Sequence, residues 1–196
     1  MDNTKKLILA STSRSRRTLL ERAGVQFEVV PSDYEEDMTL PLEPHEMVKE
    51  FSQGKAQAVT KHRPGAIIVG ADSVAVLKGK ALGKPKDEAE ARAMLKRLSG
   101  AKFIFLTGFT VINSATGEEI TDTEEVAVHI KELSDSEIDT YIASGEPLAG
   151  HAGAFAAQGK GAVIIERIEG DVTALMGLPL CRLNTITQKW GFSLLV

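Results

Sequence analysis

Leu7-Ile8-Leu9-Ala10-Ser11-Thr12-Ser13-Arg14-Ser15-Arg16-Arg17-Thr18-Leu19-Leu20 is the stretch from which the architecture of this chain can be read. The apolar run Leu7–Ala10 reads as a buried strand. It ends in small hydroxyl residues that suit a helix N-cap, and a helix over Ser13–Ala23 follows, stopped by Gly24. Arg14, Arg16 and Arg17 crowd its first turns. That end of a helix is the positive pole of its dipole and favours acidic residues, so the arginines are electrostatically misplaced unless an anion binds there. Free N–H groups, hydroxyls and guanidinium forks together suit a phosphate. The competing reading is a solvated helix face on which Arg17 pairs with Glu21.

The same strand–helix alternation extends along the chain. Phe27–Pro31 reads as a strand and Asp33–Asp37 as an acidic loop. Pro44 opens a helix to about Val59, with Met47, Val48 and Phe51 on one side. Ala66–Ala71 is a strand apolar on both faces, Val74–Leu77 continues extended, and Lys78-Gly79-Lys80 is a hairpin tip. Asp87–Leu98 is a helix. Phe103–Ile112 and Thr121–Leu133 are strands joined through Asn113–Gly117. Ser134 and Glu137 form a capping box for a helix that ends before Gly145. Ala149–Gly161 reads as a loop, Val163–Ile168 as a strand, Ala174–Leu178 as a helical turn and Pro179–Lys189 as the closing helix. No repeat or linker divides residues 1–196, so one domain is expected. Its fold class is α/β (α+β mixed), with a mixed sheet flanked by helices.

Composition excludes several classes. The 196 residues are 43% hydrophobic and 26% charged, with a net charge of -4. That is ordinary for a soluble protein and argues against a nucleic-acid coat. One cysteine rules out an internal disulfide and a multi-cysteine zinc site. Cys181, in the run Leu178-Pro179-Leu180-Cys181, is expected to be a buried small hydrophobe. No apolar run reaches the roughly 20 residues that span a membrane, and Met1–Lys6 is polar with no signal-peptide core. A cytoplasmic location is expected. His45, His62, His129 and His151 lack metal-ligand spacing, and no G-x-S-x-G elbow occurs.

Three further groups invite chemistry. Asp72, in Gly70-Ala71-Asp72-Ser73, is read as closing the most apolar strand, where a carboxylate must be paired, bind metal or exchange a proton. A capping Asp is the bland alternative. Lys55 is joined by Lys84, which is immobilised between Gly83 and Pro85. In Ala152–Gly161 the small residues admit a flat ligand, Gln158 offers an amide to a base edge, and Phe155 is either a stacking ring or core.

Together these segments resemble the Maf family of nucleoside triphosphate pyrophosphatases. The resemblance is carried by Leu9-Ala10-Ser11-Thr12-Ser13 with Arg16, Gly70-Ala71-Asp72-Ser73-Val74, Gly83-Lys84-Pro85-Lys86-Asp87, Leu98-Ser99-Gly100, Thr107-Gly108, Glu137-Ile138 with Tyr141-Ile142, Glu146-Pro147-Leu148, Ala152-Gly153-Ala154-Phe155, Gln158-Gly159 and Gly177-Leu178-Pro179-Leu180. These run in order from Leu7 to Leu183. The resemblance implies an inosine-triphosphate-pyrophosphatase-like fold with an elongated mixed sheet, two lobes and a central cleft. It also implies hydrolysis of a nucleoside triphosphate to the monophosphate and pyrophosphate, a divalent metal (Mg²⁺, with Mn²⁺ as an alternative) and a homodimer. Asp72 matches the family's proton acceptor. Ser11, Ser13, Arg16, Glu36, Lys55 and Lys84 match active-site and phosphate-binding positions, and Asp72 with Glu36 suits the metal. Ser15, Ser73 and Gln158 fall on specificity positions. Gln158 leans toward the dTTP/UTP branch, while Ser15 and His151 depart from it. Pyrimidine-leaning or broad-range hydrolysis, extending to non-standard nucleotides, is the reading. The alternatives are 7-methyl-GTP hydrolysis and a nucleotide-binding regulator of septum formation with little turnover. Membrane and nucleic-acid partners are not expected.

Overall fold

Ala66 to Leu77 forms one continuous strand, β3 (Ala66–Leu77), rather than a strand ending at Ala71. In the computed structural model, which describes residues 5–37 and 39–195 and leaves Met1–Thr4 of the polar N-terminus outside, β3 is the spine of a seven-stranded sheet. β1 (Lys6–Leu9) lies parallel on one edge of β3, and β2 (Phe27–Val29) lies parallel beyond β1. β5 (Lys102–Asn113), β6 (Glu118–Ile130) and β7 (Ile165–Glu169) extend the other edge antiparallel. Parallel neighbours need a crossover, which α1 (Arg14–Arg22) supplies between β1 and β2 and α2 (Pro44–Thr60) between β2 and β3. β4 (Lys80–Leu82) folds back on β3 through Lys78 and Gly79, both at positive φ as a tight hairpin requires. The mixed sheet with flanking helices agrees with the class expected from sequence.

Side chains alternate across β3. Ile67, Val69 and Ala71 meet Leu19 and Leu20 of α1 and Leu183 and Ile186 of α6 (Leu180–Gln188). Further along the same face, Ala75 and Leu77 join α3 (Glu88–Leu98) and α4 (Asp135–Ala143) in a second core. The opposite face carries α2, with Ile68 on Ala56 and Val59, and Val74 on Val48 and Leu106. Two strand glycines bring α2 down onto the sheet. A Cβ at Gly70 would sit 2.3 Å from the Ser52 carbonyl oxygen, and one at Gly108 would sit 2.2 Å from that of Val48.

Some boundaries differ from expectation. β6 begins at Glu118, not Thr121, because Gly117, at positive φ, closes the turn onto Asn113 and pairing resumes at once. It ends at Ile130, before the capping box. β7 starts at Ile165; Val163 lies in a 3-10 turn and is 72% exposed. The glycine-rich segment is not plain loop but contains 3-10 turns at Ala152–Ala154 and Gly159–Ile164. The short helix α5 (Val172–Leu175) comes two residues early, capped by Asp171. Cys181 is exposed, not buried. α6 turns Leu183, Ile186 and Thr187 inward, which places Cys181 and Arg182 outside.

The capping box of α4 forms as expected, and Glu137 also meets Lys131 Nζ at 2.5 Å. The lysine and the Ser134 contacts hold its carboxyl down to about 2 from 4.5. A depressed carboxyl contributes stability above its unfolded pKa and loses it as pH falls toward the folded one. Glu137→Gln is therefore expected to lower the urea midpoint at neutral pH. The gap to wild type should close as pH drops from about 4.5 toward 2. A gap that stays constant over that range would disprove the linkage.

Candidate functional site

The sheet has a gap. β1 pairs with β3 through Leu9 and Val69, and β4 pairs with it only from Ala75 onward. β5 occupies the far edge along the whole interval, so both short partners lie on the near edge. Between them, residues 70–74 of β3 have no strand on that side among the described residues. Asp72 lies at the middle of this interval. Its position is thus a mid-strand one, not the strand end expected from sequence. The end that matters is that of β1, where the chain leaves the sheet as Ser11–Ser13 and enters α1.

Asp72 and Ser73 are successive and face opposite sides of the sheet. On the α2 side, Lys55 Nζ lies 2.8 Å from Asp72 Oδ1 and 2.6 Å from Glu36 Oε1, and the lysine is largely buried. On the α1 side, Arg16 is 8% exposed and spends its guanidinium on three neutral oxygens. Nε donates to the Gly177 carbonyl at 3.0 Å, Nη1 to Ser11 Oγ at 3.2 Å and Nη2 to Ser73 Oγ at 3.1 Å. Ser73 also meets Thr107 Oγ1 at 3.0 Å, and that hydroxyl donates to the Ala174 carbonyl. Burial pushes the Arg16 guanidinium pKa down, and the fields of Asp72 and Glu36 oppose this. No carboxylate lies within ion-pair distance of Arg16 among the described residues.

Ser13 is the N-cap of α1 by position, but its side chain caps nothing. Its backbone N–H donates to Ser11 Oγ instead. Arg17 pairs with Glu21 on the exposed surface at 2.7 Å, away from the site. Ser15 is half-buried, and its side chain makes no hydrogen bond among the described residues.

Lys84 and Gln158 share no hydrogen bond or ion pair with Asp72, Glu36 or Lys55 among the described residues. Lys84 is exposed with no hydrogen bond or ion pair among the described residues. Its neighbourhood is the 3-10 segment, where the Gly153 N–H donates to the Gly83 carbonyl at 2.8 Å. His151 is half-buried there, its pKa lowered by burial and by Lys84 against the pull of Glu146. Glu146 accepts the N–H groups of Lys160 and Gly161 and so pins the turn after Gln158. Tyr141 Oη accepts the Ala156 N–H at 3.1 Å, and burial raises its pKa to about 12. Phe155 is core, edge-on to Phe103 at 5.5 Å.

Sequence reading missed the roles of Thr107, Glu146, Tyr141 and Gly177, which it met only as pieces of motifs. For Gly177 the sequence offered only the residue type, and the structure gives the reason for it. The glycine sits at φ +104, and a Cβ there would lie 3.1 Å from Arg16 Cγ and Nε.

A family profile described as Maf-like protein matches residues 6–190. A protein of Methanosarcina mazei named dTTP/UTP pyrophosphatase is 46% identical over 96% of this chain and 96% of its own length. One of Dictyoglomus turgidum with the same name is 42% identical over 97% and 99%. Among solved structures, a HAM1 protein from Coxiella burnetii superposes with a TM-score of 0.52 at 16% identity, covering 95% of this chain and all of that one. That likeness concerns the fold alone.

Proposed function

The chain belongs to the family of Maf-like proteins, and from that premise we propose that it hydrolyses nucleoside triphosphates to the monophosphate and pyrophosphate, with preference for dTTP and UTP. The observation that carries this reading is Arg16, a buried guanidinium with three neutral acceptors and, among the described residues, no carboxylate within ion-pair distance. A buried charge is costly unless paired, and an incoming phosphate supplies the direct ionic contact that Asp72 and Glu36, acting on Arg16 at longer range, do not. The first N–H groups of α1, left free of a side-chain cap, add to the same anion site.

In this reading Ser11, Ser13, Arg16, Lys55 and Lys84 hold the triphosphate, and Asp72 accepts a proton from the attacking water. Glu36 orients Lys55 and shares the cation site. Ser15, Ser73 and Gln158 bear on base choice, and the names of the relatives favour pyrimidines.

Two carboxylates and two buried cations balance one another at the site, so they cannot by themselves neutralise a triphosphate. A divalent cation fits. The carboxylates of Glu36 and Asp72 converge on one cationic atom, Lys55 Nζ, and Mg²⁺ commonly binds through one or two carboxylates plus substrate phosphates. Mg²⁺, or alternatively Mn²⁺, would relieve the charge that builds on the leaving pyrophosphate. A homodimer and a cytoplasmic location complete the proposal; among the described residues no helix is long and apolar enough to cross a membrane.

The test is pyrophosphate release in Mg²⁺ across UTP, dTTP, the purine triphosphates and 7-methyl-GTP. UTP and dTTP are expected to exceed 7-methyl-GTP by about tenfold or more in kcat/KM, a margin that pocket contacts can supply. Nucleotide binding with no pyrophosphate from any member of the panel would leave a regulatory binder instead.

A further inference from the structure

Helix α2 carries a glycine at position 54, one residue before Lys55. Glycine inside a helix is unfavourable relative to alanine, so its presence asks for a reason. Gly54 is not one of the glycines that seat α2 on the sheet. A Cβ there would lie 2.1 Å from Cε2, 2.4 Å from Cζ and 2.6 Å from Cδ2 of Tyr34. The phenol ring occupies the place a side chain would take. It also meets Phe51, with ring centroids 6.3 Å apart and planes at 56°.

Tyr34 belongs to the acidic loop that delivers Glu36, and that loop has few other tethers. No backbone N–H from Ser32 to Asp37 donates a hydrogen bond among the described residues. Among the described residues Asp37 bonds only locally, through its carboxylate to Thr39 and through its carbonyl to the Leu40 N–H. What ties the segment to α2 is the ring on Gly54 and, two residues on, the contact of Glu36 with Lys55 at 2.6 Å.

We infer that Tyr34 seated on Gly54 is a latch that sets Glu36 against Lys55 and thereby fixes the ammonium beside Asp72. Tyr34 and Gly54 are positioning residues; neither touches the reacting atoms. The inference rests on the reading of Lys55, Glu36 and Asp72 as the active site. The Tyr34 hydroxyl makes no hydrogen bond among the described residues, so the ring alone does the seating.

Gly54→Ala separates stability from function. Alanine favours the helix, but its methyl evicts the ring, and displacing a positioned group by about an ångström costs up to roughly a hundredfold in rate. Gly54→Ala and Tyr34→Ala are each expected to lower kcat/KM by about tenfold or more, with the melting temperature of Gly54→Ala at or above that of wild type. Tyr34→Phe should stay within about twofold, and the double variant should fall no further than the worse single one, because both changes open one contact. A readout independent of turnover is cleavage after Glu35 and Glu36 by a glutamate-specific protease, mapped by mass, which should quicken in both latch variants and not in Tyr34→Phe. Wild-type kinetics and cleavage in Gly54→Ala and Tyr34→Ala would overturn the latch, as would a Tyr34→Phe variant as impaired as Tyr34→Ala. Should Gly54→Ala not fold, the two Tyr34 variants decide alone. If the wild-type protein releases no pyrophosphate, the proposed function fails, and the cleavage rates still decide whether Tyr34 seats the loop.

Discussion

Asp72→Asn is expected to cut kcat for pyrophosphate release by about a thousandfold, within the range a general base contributes, while nucleotide binding survives. Asparagine is nearly the same shape as aspartate and keeps an oxygen toward Lys55, which stays anchored by Glu36 at 2.6 Å. What disappears is the negative charge and the capacity to take a proton. Asp72 lies where β3 lacks a strand neighbour on one edge, so removing its charge disturbs no sheet pairing and the fold should hold. The substrate is itself highly anionic, so losing a carboxylate beside it should leave KM unchanged or lower it. The loss then falls on kcat, the pattern of a group used in the transition state rather than in binding. The measurement is steady-state pyrophosphate release together with the rise in melting temperature on adding UTP. A variant that keeps more than a tenth of the wild-type rate would remove Asp72 from its assigned role.

Residue chemistry made part of this site legible before any fold was known. Arginines in the first turn of a helix contradict the helix dipole, and that contradiction pointed to an anion at Ser11–Arg16. The partners of Arg16 were not legible, because they come from elsewhere in the chain: the Gly177 carbonyl is 161 residues away and Ser73 is 57 away. The same holds for Asp72. Its residue type marked it as a candidate, but a strand's own sequence does not say where its neighbours stop. The gap at residues 70–74 is bounded by the end of β1 at Leu9, opposite Val69, and by the end of β4 at Leu82, opposite Ala75. Burial erred where an apolar run crossed an element boundary, as at Cys181. The start of β6 was obscured because Glu118 to Glu125 carries a single apolar side chain, Ile120, and none of the eight residues is fully buried. Lys84 and Gln158 were singled out for their local setting; in the folded chain Gly83, next to Lys84, bonds the 3-10 turn at Ala152–Ala154, and Gln158 opens the turn that follows.

Arg16→Met is expected to lower kcat/KM by at least about a hundredfold, the scale of a lost buried charge contact, while changing folding stability by no more than about 2 kcal/mol. The two effects separate because they have different origins. The guanidinium sits buried among neutral acceptors, and the fields of Asp72 and Glu36, neither within ion-pair distance among the described residues, offset its desolvation only in part. Methionine fills similar volume without that cost. The hydroxyls left behind keep other contacts, Ser73 with Thr107 and Ser11 with the Ser13 N–H. Only the Gly177 carbonyl loses its partner, and one unsatisfied buried acceptor costs about 1–3 kcal/mol. The gain and the loss nearly cancel. Binding has no such compensation, since methionine cannot pair with a phosphate. Denaturant unfolding with and without inorganic pyrophosphate tests both halves: wild type should be stabilised by the anion and Arg16→Met should not. A variant that unfolds far more easily yet still responds to pyrophosphate would make Arg16 a structural pillar, and the anion would then have to be held by other groups.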